Sequence, residues 1–130
     1  MTLRSKLMGI LVLLTVFAFT FPSLHHRQSF AQDKNVNILV TFIEIGAAKC
    51  IPCKAMQPIM KAVAEEYKEQ VKVVFHDVWT PKGKEDGMKY NIRIIPTQVF
   101  LDKNGKEYYR HEGFFPKDEV VRVIKMQGVK

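Results

Sequence analysis

The sequence predicts an α/β fold in which helices flank a mixed central sheet. A β-branched apolar run at residues 38–43 is followed by an amphipathic helical pattern and then by a second strand pattern. A strand–helix–strand unit of this length implies parallel strands joined by a right-handed crossover. Further along, two strand patterns flank Asn104-Gly105, a dipeptide typical of an antiparallel hairpin. The predicted order is therefore β-α-β, a short helix, and then β-β-α.

The first half of this order begins with a strand over residues 36–45, which is apolar on both faces, as in the middle of a sheet. In the helix that follows, apolar residues recur at steps of three and four, which predicts one face packed on the sheet. The second strand is predicted over residues 71–78. The apolar helix residues are Met56, Ile59, Met60, Val63 and Tyr67.

In the second half, a turn-rich stretch leads to a short helix predicted over residues 84–90. Strands are predicted over residues 97–102 and 106–111. Pro116 opens the last helix, because a first-turn proline leaves no intrahelical hydrogen bond unmade. In that helix the residues predicted to face inward are Val120, Val121 and Ile124.

The N-terminal segment has the pattern of a secretory signal. Arg4 and Lys6 precede an uncharged apolar run over residues 7–21, which ends at Pro22. This run is shorter than the roughly 20 residues that a membrane span needs. Residues 29–31 offer a cleavage site of the small-x-small type.

We therefore expect residues 1–31 to be a signal peptide and residues 32–130 to be the functional domain, with an uncleaved anchor as the alternative. In either case the domain is expected to be exported, to the periplasm or to the outer face of the bacterial cytoplasmic membrane. Cysteine pairs in such compartments tend to become oxidised.

The net charge of +7 does not indicate nucleic-acid binding. Arg4, Lys6 and Arg27 lie in the leader, which has no acidic residue, so the remainder carries +4. Basic and acidic residues alternate along that remainder, which is typical of a solvated surface. We expect no nucleic-acid partner.

Cys50 and Cys53 are the only cysteines of the chain, so a disulfide within one molecule must join them. They stand where the first strand ends and the first helix begins. Unpaired N–H groups and the helix dipole favour a thiolate there. The two-residue spacing lets Cys53 attack a mixed disulfide formed on Cys50. This predicts reversible disulfide exchange, with Cys50 as the attacking thiolate and Cys53 as the resolving thiol.

Other uses of a CxxC pair fit less well. A structural zinc site needs four ligands, and no second cysteine pair exists. Covalent haem attachment needs histidine where Lys54 stands. An inert disulfide that closes so short a loop would restrain little of the unfolded chain. We expect neither a metal nor a cofactor.

Two further residues allow more than one interpretation. Glu44 lies in the apolar first strand, six residues before Cys50, and burying a carboxyl group without a partner is costly. Either it relays a proton to and from Cys53, or its side chain reaches solvent at the sheet edge. Trp79, just past the second strand, either covers the rim of the cysteine site or belongs to the core.

Several motifs occur in register with the cysteine pair. They are Pro52 before the second cysteine and Lys54 after it, Pro58 in the helix, Ile94-Ile95-Pro96-Thr97, Asn104-Gly105, and Gly113 before the last helix. In this order the chain resembles the thioredoxin family over residues 36–130. The resemblance implies a thioredoxin-like fold trimmed to its minimal core.

The resemblance also assigns roles. It implies a cis peptide bond before Pro96 and a client-binding loop formed by Ile95, Pro96 and Thr97. Next to the cysteines, positive charge lowers a thiol pKa, and proline before the second cysteine resembles reducing family members. Lys49, Pro52 and Lys54 are therefore expected to tune the thiols, with plain surface positions as the alternative for the two lysines.

More narrowly, the chain resembles small exported thioredoxin-like proteins that are served by DsbD-type or cytochrome c biogenesis-type membrane thiol transporters. This implies a monomeric reductant of protein disulfides, with client proteins and such a transporter as partners. Lys49 and Ile51 depart from the family pattern, which usually has tryptophan and glycine there. The alternatives are a disulfide oxidase or isomerase with the same residues, and a non-catalytic, thiol-based metal-binding module.

Overall fold

A mixed four-stranded sheet forms the centre of the protein in this computed structural model, which describes residues 37–130. The strands are β1 (Val40–Gly46), β2 (Val71–Asp77), β3 (Thr97–Asp102) and β4 (Glu107–Glu112), and the helices are α1 (Ile51–Glu66), α2 (Pro81–Met88) and α3 (Lys117–Lys125). In space the strand order is β2-β1-β3-β4. β1 is parallel to β2 and antiparallel to β3, and β4 is antiparallel to β3. The predicted mixed sheet flanked by helices is confirmed.

β1 is an inner strand of this sheet, and six of its seven residues are buried. Its near-continuous apolar sequence suits a strand that is covered on both faces. On one face, Phe42 stacks on Phe100 with ring centroids 4.9 Å apart. This face is covered by α1 and α3, and its other fully buried apolar residues are Val40, Met56, Val63, Val120, Val123 and Ile124.

The opposite face carries a smaller core beneath α2. Ile43, Ile45 and Val99 form its buried part. α2 approaches closely because it contains glycine at its contacts. A Cβ atom on Gly87 would lie 3.2 Å from Cγ2 of Ile45, and one on Gly83 would lie 2.0 Å from the backbone oxygen of Asp77.

Apart from shifts of one or two residues at other element ends, three predicted details differ from the structure. β1 begins at Val40. α2 begins at Pro81 because the Thr80 hydroxyl oxygen accepts a hydrogen bond from the Gly83 N–H at 3.0 Å and caps the helix there. In α3 the third inward residue is Val123, and Val121 is only partly buried.

The predicted signal peptide and its cleavage site fall within residues 1–36, outside the described residues. No helix between residues 37 and 130 is long and apolar enough to cross a membrane.

Candidate active site

Several chain segments converge at one end of the sheet. The carboxyl end of β1 at Gly46 lies beside the carboxyl end of β2 at Asp77, because these strands are parallel. The antiparallel strand β3 starts at the same end, where Thr97 pairs with Ile45. The loop from β1 to α1, which ends at Cys50, and the first turn of α1, which contains Cys53, are therefore next to the residues that precede β3.

The two cysteines form a disulfide at the start of α1, with their Cα atoms 5.2 Å apart. Cys50 is the N-cap residue, and its sulfur accepts a hydrogen bond from the Cys53 N–H at 3.4 Å. Cys50 is half-buried, whereas Cys53 is only 1% exposed. Of the two sulfurs, the one on Cys50 is therefore the more accessible from solvent, and the one on Cys53 is enclosed.

Gly46 leaves room for the recessed sulfur. A Cβ atom at this position would lie 3.1 Å from Cβ and 3.2 Å from Sγ of Cys53. Side chains two residues apart on a strand point to the same face. Glu44 therefore extends from the face of β1 on which Cys53 lies, about 7 Å further along the strand.

Glu44 is completely buried. The alternative that it reaches solvent at the sheet edge is wrong, because β1 lies between β2 and β3. Burial raises the pKa of Glu44 from its ordinary value of 4.5 to about 8, although a hydrogen bond from Gln98 acts in the opposite direction. An acid with this pKa exchanges its proton near neutral pH, as a proton relay requires.

The loop before β3 carries the predicted client-binding residues. The Ile95–Pro96 peptide bond is cis. Pro96 and Thr97 are buried, and the Thr97 hydroxyl donates a hydrogen bond to the backbone oxygen of Ile94 at 2.7 Å. Ile95 is partly exposed. Within the described residues, its backbone makes no hydrogen bond to another backbone group.

The three residues expected to tune the thiols are all exposed. Pro52 lies in the first turn of α1, where its missing N–H leaves no helical hydrogen bond unmade. Lys49 and Lys54 flank the cysteine pair, and neither takes part in an ion pair in the part of the chain that the structure describes. Their charges are thus free to act on a thiolate or on a partner.

Two residues of this region were not singled out from the sequence. Asp77 joins two loops, since its carboxylate accepts hydrogen bonds from the Ala48 N–H at 3.3 Å and the Trp79 N–H at 3.0 Å. Gln98 donates a hydrogen bond from Nε2 to Oε2 of Glu44 at 2.9 Å. Gln98 is a polar residue inside the apolar run of β3, and the same kind of signal identified Glu44 in β1, so the sequence alone would have allowed Gln98 to be found.

Trp79 is 60% exposed beside this end of the sheet, so the alternative that it belongs to the core is wrong.

Between residues 37 and 130, no group of three or more His, Cys, Asp or Glu side chains is placed to hold a metal ion.

A CxxC disulfide at a helix start, beside a buried acid on an α/β sheet, is the site of a thiol–disulfide oxidoreductase. The sequence profile of the family called Thioredoxin matches residues 23–126. The chain belongs to the thioredoxin family.

Individual relatives agree. The chain is 32% identical over 97 residues to Thioredoxin C-2 of Corynebacterium nephridii, which covers 75% of this chain and 84% of that protein. It is 34% identical over 89 residues to the thioredoxin of Porphyra purpurea, covering 68% and 80%. Among solved structures, thioredoxin NaTrxh of Nicotiana alata is similar with a TM-score of 0.58 and 26% identity, covering 73% of this chain and 76% of that one.

Proposed function

We propose that this protein is an exported, monomeric reductant of protein disulfides, whose Cys50–Cys53 dithiol is re-reduced by a membrane thiol transporter of the DsbD or cytochrome c biogenesis type. The observation that carries disulfide exchange is the asymmetry of the pair, with Cys50 at the helix N-cap and Cys53 recessed against Gly46. Pro52, between the two, resembles the reducing members of the family.

The reaction consumes one client disulfide. The Cys50 thiolate attacks a client sulfur, a Cys50–client disulfide forms, and the first client thiolate leaves. Glu44 then accepts the Cys53 proton, and the Cys53 thiolate attacks Sγ of Cys50. The second client thiolate leaves and takes up a proton. Two electrons have passed to the client, and the Cys50–Cys53 disulfide remains.

Four exposed apolar residues lie at the same end of the sheet as Cys50 and support a protein client. They lie at the start of α1, after β2, before β3 and after β4. Such a group is typical of a site for another protein. An extended client segment would form strand-like hydrogen bonds with the free backbone of Ile95. The exposed apolar residues are Ile51, Trp79, Ile94 and Phe114.

The need for an external electron donor supports a membrane thiol transporter as the partner. The sequence contains no third cysteine and no nicotinamide or flavin motif, so another protein must supply the two electrons of each cycle. The apolar, basic-flanked segment at residues 4–21 supports export. In an oxidising compartment, a dithiol stays reduced only if a dedicated donor serves it.

The redox potential tests the direction of the reaction. We expect equilibration with glutathione to give a value closer to about −270 mV, as in thioredoxin, than to the roughly −120 mV of a strong periplasmic oxidant. In cells that have the transporter, the protein should accumulate reduced. A potential near that of the oxidant, with accumulation of the disulfide form, would show an oxidase instead.

The roles of the two cysteines are tested by trapping. Cys53→Ser should attack clients and remain attached, because the resolving thiol is missing. Cys50→Ser should form no such adducts and lose all exchange activity, since the remaining thiol is buried. Adducts formed by Cys50→Ser alone would mean that the roles are reversed.

A further inference from the structure

Four side chains form a row across one face of the sheet, just below the cysteine site. The register aligns Phe75 of β2 with Glu44 of β1, Glu44 with Gln98 of β3, and Gln98 with His111 of β4. Register partners on neighbouring strands point to the same face. Gln98 therefore stands between the buried acid and the outer strand β4.

Gln98 provides the hydrogen bond that Glu44 receives. Both side chains are completely buried, and Nε2 of Gln98 donates to Oε2 of Glu44 at 2.9 Å. Among residues 37–130, Glu44 belongs to no ion pair. Two oxygens in this pair have no hydrogen-bond partner there, namely Oε1 of Glu44 and Oε1 of Gln98. Buried polar atoms are seldom left unpaired, so these two require an explanation.

One proton accounts for both unpaired oxygens. A carboxylate only accepts hydrogen bonds, whereas a carboxylic acid has one O–H to donate, and an amide offers both donors and an acceptor. When Glu44 is ionised, the N–H of Gln98 supports the charge. If Glu44 carried a proton on Oε1, that O–H could donate to Oε1 of Gln98, and the pair would then be joined by two hydrogen bonds.

We propose that Gln98 is a positioning residue that holds the Glu44 carboxyl group in one orientation and hydrogen-bonds it in both protonation states. This inference rests on the proposed function in one respect only, which is the consequence that proton relay between Glu44 and Cys53 depends on Gln98. On resolution of the mixed disulfide, the proton moves from the Cys53 thiol to Glu44. On re-reduction, it returns from Glu44 to the departing Cys53 thiolate.

The other titratable groups that face this row are few. Cys53 lies above it on α1, and His111 ends it on β4. The His111 ring stacks on Phe115 with centroids 4.1 Å apart, and its Nε2 lies 3.2 Å from the backbone oxygen of Phe114. β2 contributes Phe75, which does not titrate. In the oxidised protein the Cys53 thiol is absent, so it does not contribute to a titration of Glu44.

The test is a titration of Glu44 in the oxidised protein, followed by carbon NMR of its labelled carboxyl group and assigned with Glu44→Gln. Gln98→Met keeps a similar volume but neither donates nor accepts a strong hydrogen bond. Both forms of Glu44 lose hydrogen bonds in Gln98→Met, but a buried carboxylate left without its donor costs more than a buried acid left without its acceptor. We therefore expect the pKa of Glu44 to rise by about one unit or more. The rate of the resolving step near neutral pH should then fall by about tenfold for each unit.

Val99→Ala is the matched control. Val99 is the next residue of β3, is equally buried, and packs on the opposite face. It should lower stability and leave the pKa of Glu44 unchanged. An unchanged pKa in Gln98→Met would overturn the proposal, since Gln98 would then only fill space.

Infrared spectroscopy keeps the proposal testable if Gln98→Met does not fold. The difference spectrum between the native protein and Glu44→Gln, recorded below the pKa of Glu44, should show a carboxylic acid carbonyl lowered in frequency by hydrogen bonding. A carbonyl band typical of an unbonded acid would contradict the pairing. Because the titration and the infrared spectrum use neither client nor transporter, an oxidising potential would defeat the proposed function and leave this inference standing.

Discussion

Glu44 and Asp86 are both carboxylic acids, yet the protein shifts their pKa values in opposite directions. Glu44 is enclosed in the sheet with one amide as its partner, and burial raises its pKa to about 8. Asp86 lies on α2, where hydrogen bonds from Lys82 and then Lys89 lower its pKa to about 2. The Asp86 side chain is 15% exposed and also lies 3.5 Å from Nδ1 of His76.

The difference separates an acid that can exchange a proton near neutral pH from one that stays ionised. Removing a carboxylate from water without a cation disfavours its charge, so Glu44 changes its protonation state within the working range. Asp86 is surrounded by positive charge and stays ionised at every physiological pH. Only the first arrangement allows proton transfer, and it is also the one that reduces stability when the group ionises.

The largest expected effect is on the pH dependence of folding. Glu44 has a raised folded-state pKa, so the folded protein binds the extra proton between pH 4.5 and about 8. Its contribution to the free energy of unfolding should therefore decrease as the pH rises through this window, by about 1.4 kcal/mol for each unit of pKa difference. Glu44→Gln removes this decrease, because an amide does not titrate and pairs with Gln98.

Urea unfolding of the oxidised proteins at a series of pH values measures this effect. The difference in unfolding free energy between Glu44→Gln and the native protein should grow in favour of the variant as the pH rises from 4.5 to 8. Below pH 4.5 this difference should stay constant. Glu65→Gln, at an acid that is 68% exposed on α1, is the control and should keep the native slope. If the difference between Glu44→Gln and the native protein is also constant at every pH, then Glu44 does not hold its proton in the folded protein over this range.

The fold was largely predictable from the sequence because its patterns are local. Apolar runs, helical periodicity and the Asn104-Gly105 turn predict the element order that the structure shows. The start of α2 was also encoded, in Thr80-Pro81, a capping residue followed by a first-turn proline. Val121 was misassigned because four apolar residues crowd one helix, and only packing shows that Val120, Val123 and Ile124 share the buried face.

The site was predictable where chemistry is local and less so where it depends on strand register. The cysteines and Glu44 stand out in the sequence by type and spacing. The partner of Glu44 lies 54 residues away and becomes adjacent only through the pairing of β1 with β3. The link from Asp77 to Ala48 likewise depends on the parallel pairing of β1 with β2.

The smallest expected effect is that of Asp86→Asn. Asp86 has a lowered folded-state pKa, so its contribution to stability is present above its ordinary pKa of 3.8 and is lost as the pH falls through about 2. Its partners Lys82 and Lys89 have side chains that are 76% and 61% exposed. Solvent and salt screen such pairs, so little stability depends on them.

Thermal unfolding of Asp86→Asn at pH 7, in low and in high salt, checks this expectation. The melting temperature should fall slightly in low salt, and the difference from the native protein should shrink as salt is added. The rate of disulfide exchange should not change, because Asp86 lies on α2, away from the residues that carry the reaction. A salt-independent loss of stability, or slower exchange, would show that Asp86 supports the site and that the contrast with Glu44 is incorrect.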